Sequence, residues 1–336
     1  MAHEITATDN MFSVREMPWH RLGVVLDDYP TRAEAQPLVH GWEPVSEPLF
    51  HRVPFFNEAG EPDVRYEEVP TVGNFRSDSA GDHGGYLGPV SDSYVTVSNN
   101  DMWDVAEAIQ GGGVDVKYET GGSLSGGKKV WLMLTLDQPL FVTGDPNGAT
   151  MHHYLLQNNH EGGGSFKGSA TATRVVCANT LRMADIDAQA HGTEFTFRHS
   201  KNIGDRIEEA REALAGWRES VDSWNLFSAQ MIETKVSAKG AQEFVRRFIP
   251  APPKGIASDR VLANVESARD TWKSIYNGVT GEGIKGSAYG LLQASSEYAE
   301  HYRKAQDAET RFKRSILDRN TIMTNAKDLA LEAALV

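Results

Sequence analysis

The stretch VDVKYETGGSLSGGKKVWLMLTL, residues 114–136, reads as two strands folded back on a glycine-serine turn. β-Branched, aromatic and aliphatic residues flank a central run of Gly and Ser, the pattern of a long hairpin. The strands on either side follow from it. VPTVGNFRS (69–77) alternates Val, Val and Phe with small or polar residues before the loop SDSAGDHGG, and DSYVTVSN (92–99) alternates again. SATATRVVC (169–177) and TEFTFRH (193–199) add two further strands. Short helices interrupt them. Thr31 and Glu34 form a capping-box pattern, with Pro37 limiting or distorting the helix it opens, and Asn99 or Asn100 caps the apolar helix DMWDVAEAI. Asn179 is placed to cap a further helix over TLRMADI, leaving Cys177 two residues before its start.

After residue 200 the period changes. Ile203, Ile207, Ala210, Leu214, Trp217, Val221, Trp224 and Met231 keep heptad register across a gap at Ser228, predicting a long helix that buries one narrow stripe. A second helix follows Ser237 and ends at the linker IPAPPKG (249–255). Val261, Val265, Ala268, Trp272 and Ile275 repeat the heptad spacing, and two more helices are expected at 287–302 and 305–334. The expected fold is therefore α+β: an N-terminal mixed or antiparallel sheet domain with a long hairpin (1–200), followed by a helical region (201–336) packed on or beside it. The 203–231 stripe pairs either with the 261–275 stripe in one chain or with a second copy in a homo-oligomer.

Composition bounds the function. The chain has 336 residues, 40% hydrophobic and 24% charged, enough for a sizeable core. No window reaches the roughly 18 apolar residues of a membrane span, and the N-terminus lacks a secretory pattern. One cysteine cannot form an internal disulfide, which fits a reducing cytoplasm. The net charge of −13 lies in the first third: residues 1–110 hold 6 Lys and Arg against 19 Asp and Glu, whereas 111–200 hold 7 against 8 and 201–336 hold 20 against 19. An acidic total disfavours long-range steering to nucleic acid but leaves room for a local basic stripe.

Candidate sites concentrate in the middle third. Gly122, Gly127 and Lys128 match part of a phosphate-binding loop, but Lys129 replaces the Ser or Thr that binds magnesium, and a strand follows where a helix is needed. The tip then has two readings: a flexible turn, or a mobile arm on which Lys117, Lys128 and Lys129 follow a phosphate backbone. Lys167, Arg174, Arg182 and Arg198 surround the Gly-rich loop 162–169, the next strand and the expected helix start; they converge on an anion or lie along a solvated edge. His152, His153 and His160 lack the paired spacing of a zinc site, and Cys177 lacks a nucleophile elbow and a positioned base. Neither a metal, a cofactor nor a catalytic residue is assigned.

RVVCANTL (174–181), the W-H-x-L-G of Trp19 to Gly23, YLGPVSDSYVTVSNND (86–101) and AYGLLQASSEYAEH (288–301) together resemble the phage/plasmid-like protein family known as domain of unknown function 932. The resemblance implies a mobile-element protein in a bacterial cytoplasm and supplies no catalytic residues. With the lysine-bearing hairpin and the cations at 167–198, it leads to the expectation of a non-catalytic phage protein that binds or anneals single-stranded DNA in replication or recombination. Tyr118, Phe166 and Phe197 are expected to stack bases. Two rival readings are a factor that binds a host protein and inhibits or redirects it, favoured by the acidic third and the heptad helices, and an enzyme using Cys177.

Overall fold

A computed structural model describes residues 10–14, 23–110, 116–136, 139–174, 179–182, 194–199, 217–253, 255, 257–304 and 321–336. The described chain is α+β. Its first two thirds contain β1 (Met11–Val14), β2 (Val24–Leu26), α1 (Arg32–Val39), β3 (Pro44–Phe56), β4 (Pro62–Arg76), β5 (Tyr86–Val90), α2 (Asn99–Gln110), β6 (Val116–Leu124), β7 (Lys129–Leu136), β8 (Leu140–Phe141), β9 (Ala149–Asn159), β10 (Ser165–Arg174), β11 (Asn179–Arg182) and β12 (Phe195–Arg198). The helices α3 (Trp217–Glu233), α4 (Ala238–Phe248), α5 (Asp259–Asn277), α6 (Ala288–Glu297) and α7 (Thr321–Ala333) come after them.

Nine strands form the main sheet in the order β11-β10-β9-β7-β6-β1-β2, with β12 beside β11 on the same edge of β10 and β8 on β9. All its pairs are antiparallel except β1 with β2. The hairpin of residues 114–136 is β6 and β7, at the centre of this sheet. β3, β4 and β5 form a separate three-stranded sheet.

Period-two alternation sorts the main sheet into two faces. Val130, Leu132 and Leu134 of β7 share one face with Tyr154 and Leu156 of β9, Phe166, Ala170 and Ala172 of β10, and Phe195 and Phe197 of β12, all buried in one apolar cluster. Gly168 permits the closest packing there: a Cβ would lie 2.3 Å from the Phe195 ring and 2.8 Å from Tyr154. The same cluster takes in Trp217, Val221, Trp224 and Met231 of α3 and Ala288 to Ala294 of α6, so sheet and helices share a continuous core.

The described part of the 203–231 stripe is therefore an internal one. Trp217 meets Tyr154 of β9 edge-on, with ring centroids 5.6 Å apart, and α3 packs against α6. Trp217, Val221, Trp224 and Met231 are at most 2% exposed, which withholds them from any second copy. The 261–275 stripe is not the principal partner of α3 either; α5 packs on α6, and Val261 remains exposed.

Three local expectations fail for identifiable reasons. Residues 92–98 form no strand, because side chains serve their backbone: Asn158 Nδ2 donates to the Val97 carbonyl at 3.0 Å, and the Val97 N–H donates to His199 Nδ1 at 3.4 Å. The helix cap falls one residue earlier than expected, at Ser98, which exchanges hydrogen bonds of 2.7 and 2.9 Å with Asp101. Asn179 starts no helix. Residues 179–182 are β11, with Arg174 opposite Asn179 and Thr171 opposite Arg182; a strand partner in register outweighs the local cap signal.

Candidate nucleic-acid interface

The opposite face of the main sheet carries a second, small apolar cluster of Leu124, Trp131 and Leu155, buried and packed against Met11 and Met133. The register fixes which cations join it. Trp131 stands opposite Gln157, and Gln157 opposite Lys167, which itself stands opposite Thr196. Lys129 stands opposite Asn159 and Arg198 opposite Ser165, each two residues along from that row and so on the same face. Lys129, Lys167 and Arg198 thus share one face across β7, β10 and β12. Three strand spacings separate Lys129 from Arg198, about 14 Å. Lys167 and Arg198 are exposed and Lys129 is half-buried. Between them Gln157, Asn159, Ser165 and Thr196 supply neutral hydrogen-bonding groups; Asn159 Nδ2 already donates to Glu161 at 3.1 Å.

Of the other four candidates, Lys117 and Lys128 stand apart from this group. Lys117 lies on the same face at the far end of the hairpin, opposite Thr135. Arg174 and Arg182 hold strand positions in the β10–β11 pair, and their side chains lie outside the described residues, as does Cys177. Lys128 sits at the hairpin tip. The expected base-stacking aromatics are core: Tyr118 is 1%, Phe166 0% and Phe197 6% exposed.

Nor is the tip a mobile arm. The Arg76 guanidinium donates to the Gly126 carbonyl at 3.2 Å and lies over the Trp42 ring at 4.4 Å, while the His160 N–H donates to the Lys128 carbonyl at 2.8 Å. Gly127 has φ +98°, and a Cβ there would lie 2.6 Å from Trp42, so the tip fits under that indole only as glycine. Lys128 leads directly into β7, with no helix N-terminus to receive a phosphate.

Around the tip is a buried polar clasp that the sequence did not reveal. Asn99 Nδ2 donates to the Trp42 carbonyl at 2.6 Å, which leaves Asn99 Oδ1 to accept from His160 Nε2–H at 3.0 Å. Trp103 Nε1–H donates to His40 Nδ1 at 3.1 Å, so His40 Nε2–H donates to the Gly122 carbonyl at 2.8 Å. Asn74 Nδ2 donates to the His160 carbonyl at 3.0 Å. Both carboxylate oxygens of Glu43 accept from the first amides of α2, Asn99 at 2.7 Å and Asn100 at 3.1 Å, where a helix N-terminus favours negative charge. Burial pushes His40 down to about 4 and His160 to about 3, so both imidazoles are neutral at pH 7. These bonds hold three regions together and aim no nucleophile at an open site, while His160 Nδ1 is left without a hydrogen-bond partner among the described residues. Of the clasp's residues, His160 is one of the three histidines weighed for a zinc site, and among the described residues no group of three metal-binding side chains occurs.

A cavity of about 800 Å³ lies between α4 and α5, walled by Val245, Trp272 and Tyr276. Two of its cations are engaged, Arg269 with Glu266 at 2.7 Å and Lys273 with Asp270 at 2.8 Å. Among the described residues no helix is long and apolar enough to cross a membrane.

A family model described as Domain of unknown function (DUF932) matches residues 86–321, more than two thirds of the chain. No curated protein and no solved structure matches it.

Proposed function

With the chain belonging to the DUF932 family, we propose that it binds the sugar-phosphate backbone of single-stranded nucleic acid, without catalysis, on the part of its main sheet that bears Lys129, Lys167 and Arg198. The observation that carries this reading is the shared face of Lys129, Lys167 and Arg198, with Gln157 and Asn159 between them. Cations spread over about 14 Å match more than one phosphate of an extended strand. With Tyr118, Phe166 and Phe197 buried, affinity comes from phosphate contacts and is indifferent to sequence. Such binding would serve strand pairing in the replication or recombination of a phage or plasmid within a bacterial cytoplasm.

Fluorescence anisotropy with labelled oligo(dT) over a salt series tests the reading. Three phosphate contacts give a slope of log K against log salt near about −2. Replacing Lys129, Lys167 and Arg198 together by Ala should flatten that slope and weaken binding at least tenfold. Salt-independent binding, or a triple variant that binds like the parent, refutes the assignment.

A further inference from the structure

β3 and β4 continue well past β5. Phe50 to Phe56 pair with Glu68 to Pro62 as a two-stranded ribbon that no third strand covers among the described residues. At about 3.4 Å per residue the ribbon projects roughly 24 Å. Its turn is ordered: Asn57 Oδ1 accepts from the N–H groups of Ala59 at 3.0 Å and Glu61 at 2.9 Å.

Directly opposed residues of an antiparallel pair lie on the same side. One side of the ribbon therefore carries the apolar Phe50, Pro54, Phe56, Pro62, Val64 and Tyr66, together with one opposite-charge pair of residues, Arg52 and Glu68. Phe50 is 56%, Phe56 74% and Tyr66 68% exposed. With each ring presenting about 200 Å², these three alone leave about 400 Å² of aromatic surface in water, the size of a functional patch. A two-stranded ribbon is marginal by itself, and rings facing solvent add nothing to its stability.

The charges around the stripe select its occupant. Residues 47–68 contain six acids (Glu47, Glu58, Glu61, Asp63, Glu67, Glu68) against two arginines, and Arg65 is held by Glu67 at 2.7 Å. A nucleic acid or an anionic lipid surface is repelled, and a second copy brings the same negative rim. Pro54 and Pro62 remove two N–H groups from the ribbon, and Pro48 and Pro70 two more at its base, which blunts its edges against strand addition. The face is left as the contact surface. We infer that this side of the arm docks a protein that presents apolar side chains between lysines and arginines. The inference is independent of the nucleic-acid reading, whose cations lie on the other sheet.

The test uses the full chain and a fluorescent synthetic peptide of alternating Leu and Lys, with Leu-Glu and Gly-Lys peptides for comparison. The Leu-Lys peptide should bind more tightly than either. F50S/F56S/Y66S should weaken it at least tenfold while leaving the melting temperature and oligo(dT) binding unchanged, because these side chains are exposed. E58Q/E61Q/E68Q should weaken it severalfold and reduce its salt dependence. Equal binding to parent and F50S/F56S/Y66S overturns the inference, as does a Leu-Glu peptide that binds as tightly. It is also overturned if light scattering shows a dimer, or sedimentation shows binding to anionic vesicles, that F50S/F56S/Y66S abolishes.

Discussion

Acidification should unfold this protein well above the pH at which its carboxylates titrate. Burial holds His40, His153 and His199 down to about 4 and His152 and His160 to about 3. Each is neutral in the fold, whereas in the unfolded chain each takes a proton near pH 6.5. Below that pH the unfolded state binds more protons, so stability falls as pH falls, and the loss saturates only near the folded values. At pH 5, 1.5 units below the unfolded pKa, the penalty is about 2 kcal/mol per histidine, or about 10 kcal/mol for five, comparable with the whole stability of an ordinary domain. The lowered Asp78 carboxyl, held by Arg76, adds to the loss at lower pH, and the raised Glu43 carboxyl opposes it. Urea unfolding followed by tryptophan fluorescence at pH 8, 7, 6 and 5 should show a midpoint that is steady to about pH 7 and then drops steeply. His152→Leu gives an internal control, since neither ring nitrogen of His152 has a hydrogen-bond partner among the described residues. That variant should be near neutral at pH 8 and recover about 2 kcal/mol at pH 5. A midpoint that stays flat from pH 7 to pH 5 refutes the reasoning.

Gly168→Ala forces a methyl into the Phe195 and Tyr154 rings and should cost about 1–3 kcal/mol by chemical denaturation. Trp42→Ala removes the plane beneath Arg76 and the edge contact with His160, whose ring centroid lies 5.6 Å away; about 3–5 kcal/mol should be lost. Faster amide exchange at the hairpin tip would accompany that loss. Cys177→Ser should leave oligo(dT) affinity unchanged; a lost biological activity with intact binding would revive the thiol as a nucleophile.

The hairpin was legible because both of its strands alternate or run apolar beside an unmistakable glycine-serine turn, and α3 because its tryptophans keep heptad spacing. Partners were not legible. Nothing in 121–129 says that Trp42, Arg76 and His160 close over the turn, since those contacts span up to 85 residues and depend on where a second sheet docks. The convergence of Lys129, Lys167 and Arg198 had the same obstacle. Alternation gives each residue a side of its own strand, but only the insertion of β9 between β7 and β10 puts the three on one face. At 179–182 a good cap residue lost to strand pairing, and at 92–98 an alternating pattern lost to side chains that satisfied the backbone first. The arm escaped notice because HRVPFF and DVRYEEV mix prolines and charges into their alternation, the marks of an exposed ribbon rather than a core strand.

The clasp around the hairpin tip bears on where this protein can be cut. The family match begins at Tyr86, yet Trp42, Glu43, Asn74 and Arg76 all precede it. A fragment starting there would strip the first amides of α2 of their carboxylate, leave the Asn99 side-chain amide without its acceptor, and open the seat of Gly127 to water. The matched span is therefore shorter than the span these contacts join, and an expression boundary drawn at residue 86 would cut through the clasp.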